Sequence, residues 1–237
     1  MKNVLRRASA LLLAVLLIVP AYAEDTSAEG RKQDLEFLYE EVLKKHHPDV
    51  FANSSEEEFT ALKTEIESRL ETESETEFLM DLKRLTALVG DSHTMVSLGG
   101  NADLRAYPYN ATQQGDSWML SLAPAKDKAL LGQEIVSLAG KPLPEAMEAL
   151  APLFSSDNPV HLRRQIRQAC NIADIYEYMG LVEKDAPLEI GLKNGKTLSL
   201  EPASMEAFGN IQLSRLSAQI KNFAKTAAPD ATYPSMP

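Results

Sequence analysis

The sequence predicts an α+β fold: a small N-terminal bundle of helices followed by a β-rich module with inserted helices. Three observations carry this. Apolar residues recur at helical spacing up to Val89, with the capping-box pattern Ser-x-x-Glu at Ser55–Glu58 and again at Ser74–Glu77. After Gly90 the pattern switches to alternation, with Thr94, Val96 and Leu98 on one face and His93, Met95 and Ser97 on the other. Near residue 194, Asn194-Gly195 separates two apolar alternating runs, a strong short-range signal for a hairpin.

Residues 1–23 read as a targeting segment. Lys2, Arg6 and Arg7 precede an apolar run from Ala8 to Val19, and Ala21-Tyr22-Ala23 is a small-x-small cleavage pattern. The run is short for a membrane span. An uncleaved N-terminal anchor is the alternative. Cleavage near Ala23 would place the chain in a periplasm or outside the cell. No Cys follows the apolar run to carry a lipid, and Cys170 is the single cysteine, so no intramolecular disulfide can form.

The formal charge of the whole sequence is −10, and loss of three basic residues with the leader would take it to about −13. Such acidity argues against nucleic acid and anionic membranes as partners. Its simplest role is solubility.

Residues 24–32 are small and polar and read as a tether. A first helix is expected from about Lys32, with Leu35, Leu38, Val42 and Leu43 inward and Phe37 and Tyr39 on its flanks. It should end near His46-His47-Pro48, because proline disfavours helical geometry in the residue before it. Adjacent histidines on a helix point apart, and no Cys or third His lies near them in sequence. They read as helix-end residues complementing the dipole rather than as metal ligands.

The second helix has the stripe Phe59, Leu62, Ile66 and Leu70; the third has Phe78, Leu82, Leu85 and Val89. The acidic run from Glu65 to Glu77 is their solvated side. Gly90 is placed to end the third helix in the left-handed conformation. Asp91 and Ser92 then turn the chain by side-chain-to-backbone hydrogen bonds. His93 follows at a helix-to-strand corner, where an imidazole can face a cleft, and it is the first candidate for chemistry.

Beyond the break at Gly99-Gly100-Asn101, strands are expected over Ala106–Ala111, Ser117–Leu122 and Gln133–Leu138. Helices are expected over Pro142–Leu153 and about Pro159–Tyr178, and the closing hairpin over 188–200. From Ile211 to Phe223 the spacing predicts one more amphipathic helix, and 228–237 is Pro-rich. The chain thus divides into a leader (1–23), a helical domain (24–100), a β-rich module (101–203) and a helix with a Pro-rich linker (204–237).

A helical region, then Leu-Val-Gly-Asp-Ser-His-Thr at 88–94, then a small β-rich module containing Leu131-Gly132-Gln133-Glu134-Ile135-Val136-Ser137-Leu138-Ala139-Gly140, resembles the C-terminal-processing (tail-specific) serine peptidases, in particular their tricorn-like members. The resemblance covers most of the chain beyond the leader, but only about the first half of such a peptidase. It implies that His93 is a general base and that Ser92 orients or polarises it. It also implies that the β-rich module is PDZ-like and takes an extended polypeptide or peptide by strand addition. Gly132, with Leu131, would then bind substrate by offering backbone N–H groups to a terminal carboxylate; a plain turn role for Gly132 fits equally well. The family's nucleophile and a further carboxylate belong to a second half, which would lie beyond Pro237. No cofactor and no metal are implied.

The residues themselves agree that the chemistry is incomplete. No Gly-x-Ser-x-Gly and no Ser-x-x-Lys occurs, and Ser92 adjoins its would-be base too closely to be the attacking group. The readings that follow are the N-terminal part of an exported serine-type peptidase, or a non-catalytic periplasmic peptide-binding protein. A half-enzyme completed by another chain or by a second copy of this one is a third. Stable membrane insertion is not expected.

Overall fold

The structure is a computed structural model that describes residues 26–98 and 103–216. The expected leader, the break at 99–102 and the Pro-rich end lie outside these residues. The fold is α+β, with a helical region ahead of a largely antiparallel sheet.

Helix α1 runs over Ala28–Glu36, and the Ser27 hydroxyl accepts the Gly30 amide at 3.1 Å. It begins before Lys32, so 28–32 is helix rather than tether. It continues directly into a π-helical stretch, Phe37–Lys44. There the stripe differs from expectation. Leu35, Tyr39 and Leu43 are buried, while Val42 and Phe37 are 39% and 61% exposed. The i→i+5 winding widens each turn, which moves the inward period to four residues and swaps Tyr39 for Val42.

Helices α2 (Glu56–Glu67) and α3 (Glu75–Ala87) both start in complete capping boxes. Ser55 accepts the Glu58 amide at 3.3 Å, and its own amide donates to Glu58 at 2.7 Å. All eight residues expected on their two stripes are buried and pack with α1 into one apolar cluster.

The second region begins with β1 (Arg105–Ala106), β2 (Asn110–Gln114) and β3 (Ser117–Pro124). A 3-10 turn over Ala125–Leu130 leads to β4 (Glu134–Leu138) and β5 (Lys141–Pro142). Helix α4 (Leu143–Leu150) runs into a 3-10 turn, Ala151–Leu153. After α5 (Pro159–Ala169) and α6 (Ala173–Tyr178) comes the hairpin β6 (Leu188–Leu192) and β7 (Thr197–Leu200). The described chain ends with β8 (Ala203–Ser204), α7 (Met205–Asn210) and β9 (Leu213–Arg215). The main sheet has the order β2-β3-β4-β6-β7, with β5 on β4 and β9 on β3; β1 pairs with β8 apart from it.

Three expectations are corrected here. The stretch from about Pro159 to Tyr178 is two helices, broken at Cys170. The hydroxyls of Tyr109 and Tyr176 both donate to the Cys170 carbonyl, at 2.6 and 2.7 Å, and Asn171 accepts the Tyr107 amide. Carbonyls used in this way are lost to a helical ladder. The start of the helix expected over Ile211–Phe223 is instead strand β9, because the free edge of β3 at Leu122–Pro124 pairs with it; residues 217–223 lie outside the described ones. Residues 94–98 keep their alternating exposure but belong to no strand.

That last segment crosses between two cores. Val96 packs on the helical cluster, and Leu98 packs on the cluster around Trp118, Leu120 and Tyr176. Helix α3 also serves both, since Met80 joins the sheet cluster while Phe78 and Leu82 stay in the helical one. Burying a large apolar side chain contributes about 1.5–3 kcal/mol, so α3 and the segment after it are held from two sides.

Candidate functional site

The corner is built from the end of α3 outward. Gly90 has φ +69°, and a Cβ there would lie 2.9 Å from Asn53 Nδ2. Glycine is needed at this position for both conformation and space. Asn53 Nδ2 donates to the Val89 carbonyl at 2.9 Å, satisfying one of the acceptors that a helix end leaves open.

Asp91 then collects donors. Its Oδ1 accepts the amides of His93 at 2.7 Å and Thr94 at 2.5 Å. Its Oδ2 accepts the Thr94 hydroxyl at 2.8 Å and lies 2.9 Å from His47 Nε2. Burial by itself pushes this carboxyl's pKa up. The bonds from the Thr94 amide, His47, the His93 amide and the Thr94 hydroxyl outweigh it and hold the group well below the usual carboxylate range.

The sheet region grips the same corner. The Asp91 amide donates to the hydroxyl of buried Ser155 at 3.1 Å, and Gln165 donates to the Ser155 carbonyl at 2.8 Å. Ser92 donates to Asp157 Oδ1, and that bond is the main cause that lowers the Asp157 pKa. Beneath the corner lies Lys83, an α3 residue only 9% exposed. Its ammonium donates to the Val96 carbonyl at 3.3 Å and stands 5.0 Å from the centre of the Phe154 ring. Desolvation lowers its pKa.

His93 is exposed, and its ring has no hydrogen-bond partner among the described residues, although its backbone is pinned. A free imidazole on a fixed backbone can accept or deliver a proton to a group brought against it. Ser92 is directed at Asp157 rather than at that ring, so it contributes to the corner's shape. Asp91 turns the chain, as expected.

Gly132 has φ +81° in the link between β3 and β4. Its amide donates to the Leu120 carbonyl at 2.9 Å, and the Leu131 amide to the Lys128 carbonyl at 3.3 Å. Both N–H groups proposed for a carboxylate are already used, one by strand β3 and one by the 3-10 turn. No hydrogen bond joins this turn to the corner among the described residues.

His47, Ser155, Asp157 and Lys83 are site residues that sequence reasoning did not find. Three of them meet the corner across a large separation, 44 residues for His47 and 64 and 65 for Ser155 and Asp157, while Lys83 comes from α3 just before it. Only the Asp91-x-x-Thr94 spacing carried a local signal. Among the described residues, no group of three or more His, Cys, Asp or Glu is arranged to hold a metal ion, and no helix is long and apolar enough to cross a membrane.

No family model and no curated protein sequence matches the chain. Solved structures do. The chain is similar to mature CPAF, a chlamydial serine protease, with a TM-score of 0.52 at 15% identity over 88% of this chain and 38% of that one. It is likewise similar to mature CPAF complexed with lactacystin, with a TM-score of 0.50 at 16% identity, over 88% of this chain and 39% of that one. The chain therefore spans about two fifths of the length of these structures. At this identity the likeness shows a distant protease-like fold and does not reach the narrower tail-specific family.

Proposed function

We propose that this chain is the N-terminal part of an exported serine-type peptidase acting on polypeptides or peptide tails, with His93 as its general base. The observation that carries the reading is the contrast at His93, whose backbone is locked by Asp91 while its exposed ring has no hydrogen-bond partner among the described residues. The fold likeness to a serine protease over 88% of the chain supports it.

A general base needs a nucleophile within hydrogen-bond reach and donors for the oxyanion. Neither partner is found beside His93 among the described residues. In this reading they come from a catalytic portion outside the sequence given. CPAF is consistent with that arrangement, since the matched part is only 38% of its chain. Export rests on residues 1–23, and the PDZ-like role of the second region rests on the resemblance.

The test is turnover of an unfolded protein substrate. The 237-residue chain alone should show none, and the same residues within a longer gene product should show turnover that a serine-directed covalent inhibitor abolishes. Inhibitor-sensitive cleavage by the chain alone would overturn the reading.

A non-catalytic peptide-binding protein remains the second reading, favoured by one feature. Strand β2 is an edge of the sheet, and Thr112 to Gln114 are exposed on it. An added strand could pair there. Part of that edge is already taken, since Arg167 of α5 donates to the Ala111 carbonyl at 2.9 Å. Binding of extended peptides by the isolated chain, unchanged in His93→Ala, would favour this reading.

A further inference from the structure

We propose that His47 is a positioning residue for His93, acting through Asp91; the inference rests on the reading of His93 as a general base. His47 closes the helical stretch, its amide donating to the Leu43 carbonyl at 3.1 Å, and its ring reaches on to the corner. Both its ring nitrogens are engaged. Nδ1 accepts the Asp49 amide at 3.2 Å, so the proton of the neutral ring sits on Nε2. Nε2 then donates to Asp91 Oδ2 at 2.9 Å. The His47 side chain is 19% exposed and that of Asp91 30%, so water competes only in part for this bond.

The arrangement forms a relay of fixed geometry. The Asp49 amide sets the tautomer and plane of the His47 ring. That ring and the Thr94 hydroxyl together hold Oδ2, which aims Oδ1 at the amides of His93 and Thr94. The same loop grips the corner a second time, because Asn53 holds the Val89 carbonyl just before Gly90. Loop 47–53 is therefore a cradle on the helical side, opposite the Ser155 and Asp157 contacts on the sheet side. Removal of the His47 bond frees the carboxylate to rotate, and with it the backbone that presents the His93 ring.

Amide hydrogen exchange on the full 237-residue chain tests this, with His47→Ala and His47→Gln as the variants. A glutamine amide can reach the position of Nε2 and donate to Asp91; alanine cannot. His47→Ala should speed exchange at His93 and Thr94 roughly five- to tenfold, the effect of losing about one net hydrogen bond. His47→Gln should bring both amides back close to the parent rates. The β6–β7 hairpin amides report whether the rest of the fold is intact. Unchanged exchange at His93 and Thr94 in His47→Ala would overturn the proposal. So would equally fast exchange in His47→Gln, which would mean that ring packing, not the hydrogen bond, matters. The readout involves no turnover, so it can fail or succeed independently of the peptidase reading.

Discussion

Two of the polar junctions between the helical and sheet regions are built from different chemistry. At the Gly90–Thr94 corner a single carboxylate, Asp91, accepts two amides and a hydroxyl and meets the His47 ring, while its own amide donates to Ser155 of the sheet region. At the other junction, Asp81 of α3 is fully buried and accepts Arg69 at 2.5 Å and the Tyr178 hydroxyl, with Arg84 3.5 Å away. Its Oδ2 has no hydrogen-bond partner among the described residues, and neither do the two buried oxygens of Glu73. Burial, helped by the neighbouring Asp81 carboxyl, pushes the Glu73 carboxyl up to about 8.

The difference is one of proton occupancy. Asp91 is held ionised because every lone pair that matters has a donor. Glu73 is held protonated because a second negative charge beside Asp81 has too few donors to share. The corner thus keeps one shape over a wide pH range, while the charged junction depends on pH. Chemistry that needs a fixed imidazole suits the first junction, not the second.

The largest effect on this contrast should come from Asp91→Ala. It leaves two amides, the Thr94 hydroxyl and His47 without their acceptor, at a cost of about 1–3 kcal/mol given their partial exposure. Urea denaturation at neutral pH measures it. The pH dependence has a definite sign. A depressed folded pKa contributes stability that is present above the unfolded value of about 3.9 and is lost only as pH falls through the folded value. The gap between parent and Asp91→Asn should therefore persist through mildly acidic pH and close only in strong acid.

Glu73→Gln should show the opposite slope. Its raised folded pKa makes the parent's stability fully present below the ordinary value of 4.5 and lost as pH rises through about 8. The glutamine variant should keep about 1 kcal/mol that the parent loses across that window, a figure reduced for solvent screening. Denaturation curves at pH 5, 7 and 9 decide it, and parallel curves would remove the proton-occupancy contrast. Ser92→Ala should have the smallest effect, within about 0.5 kcal/mol, since its bond to Asp157 lies at the surface.

What could be read from the sequence follows the range of the interactions. Both capping boxes, the stripes of α2 and α3, the Gly90 stop and the β6–β7 hairpin are local devices, and all appear as expected. The π-helical winding that exchanges Val42 for Tyr39 has no local marker here. The break at Cys170 depends on Tyr109, 61 residues away, and β9 depends on the free edge of β3. At the corner, the Asp91 turn and the exposed placement of His93 were legible, whereas the direction of Ser92 was not. Its partner Asp157 lies 65 residues on, in the other region.

The proposed base at His93 is tested most directly by turnover of an unfolded protein by a longer gene product that carries the proposed catalytic portion, parent against His93→Ala and Ser92→Ala. A general base contributes about 10²–10⁴-fold, so His93→Ala should lose at least about a hundredfold in kcat while its melting temperature stays near the parent's. Ser92→Ala should remain within a few-fold of the parent. Full activity in His93→Ala, or a loss confined to Ser92→Ala, would contradict the assignment of the free imidazole as the base.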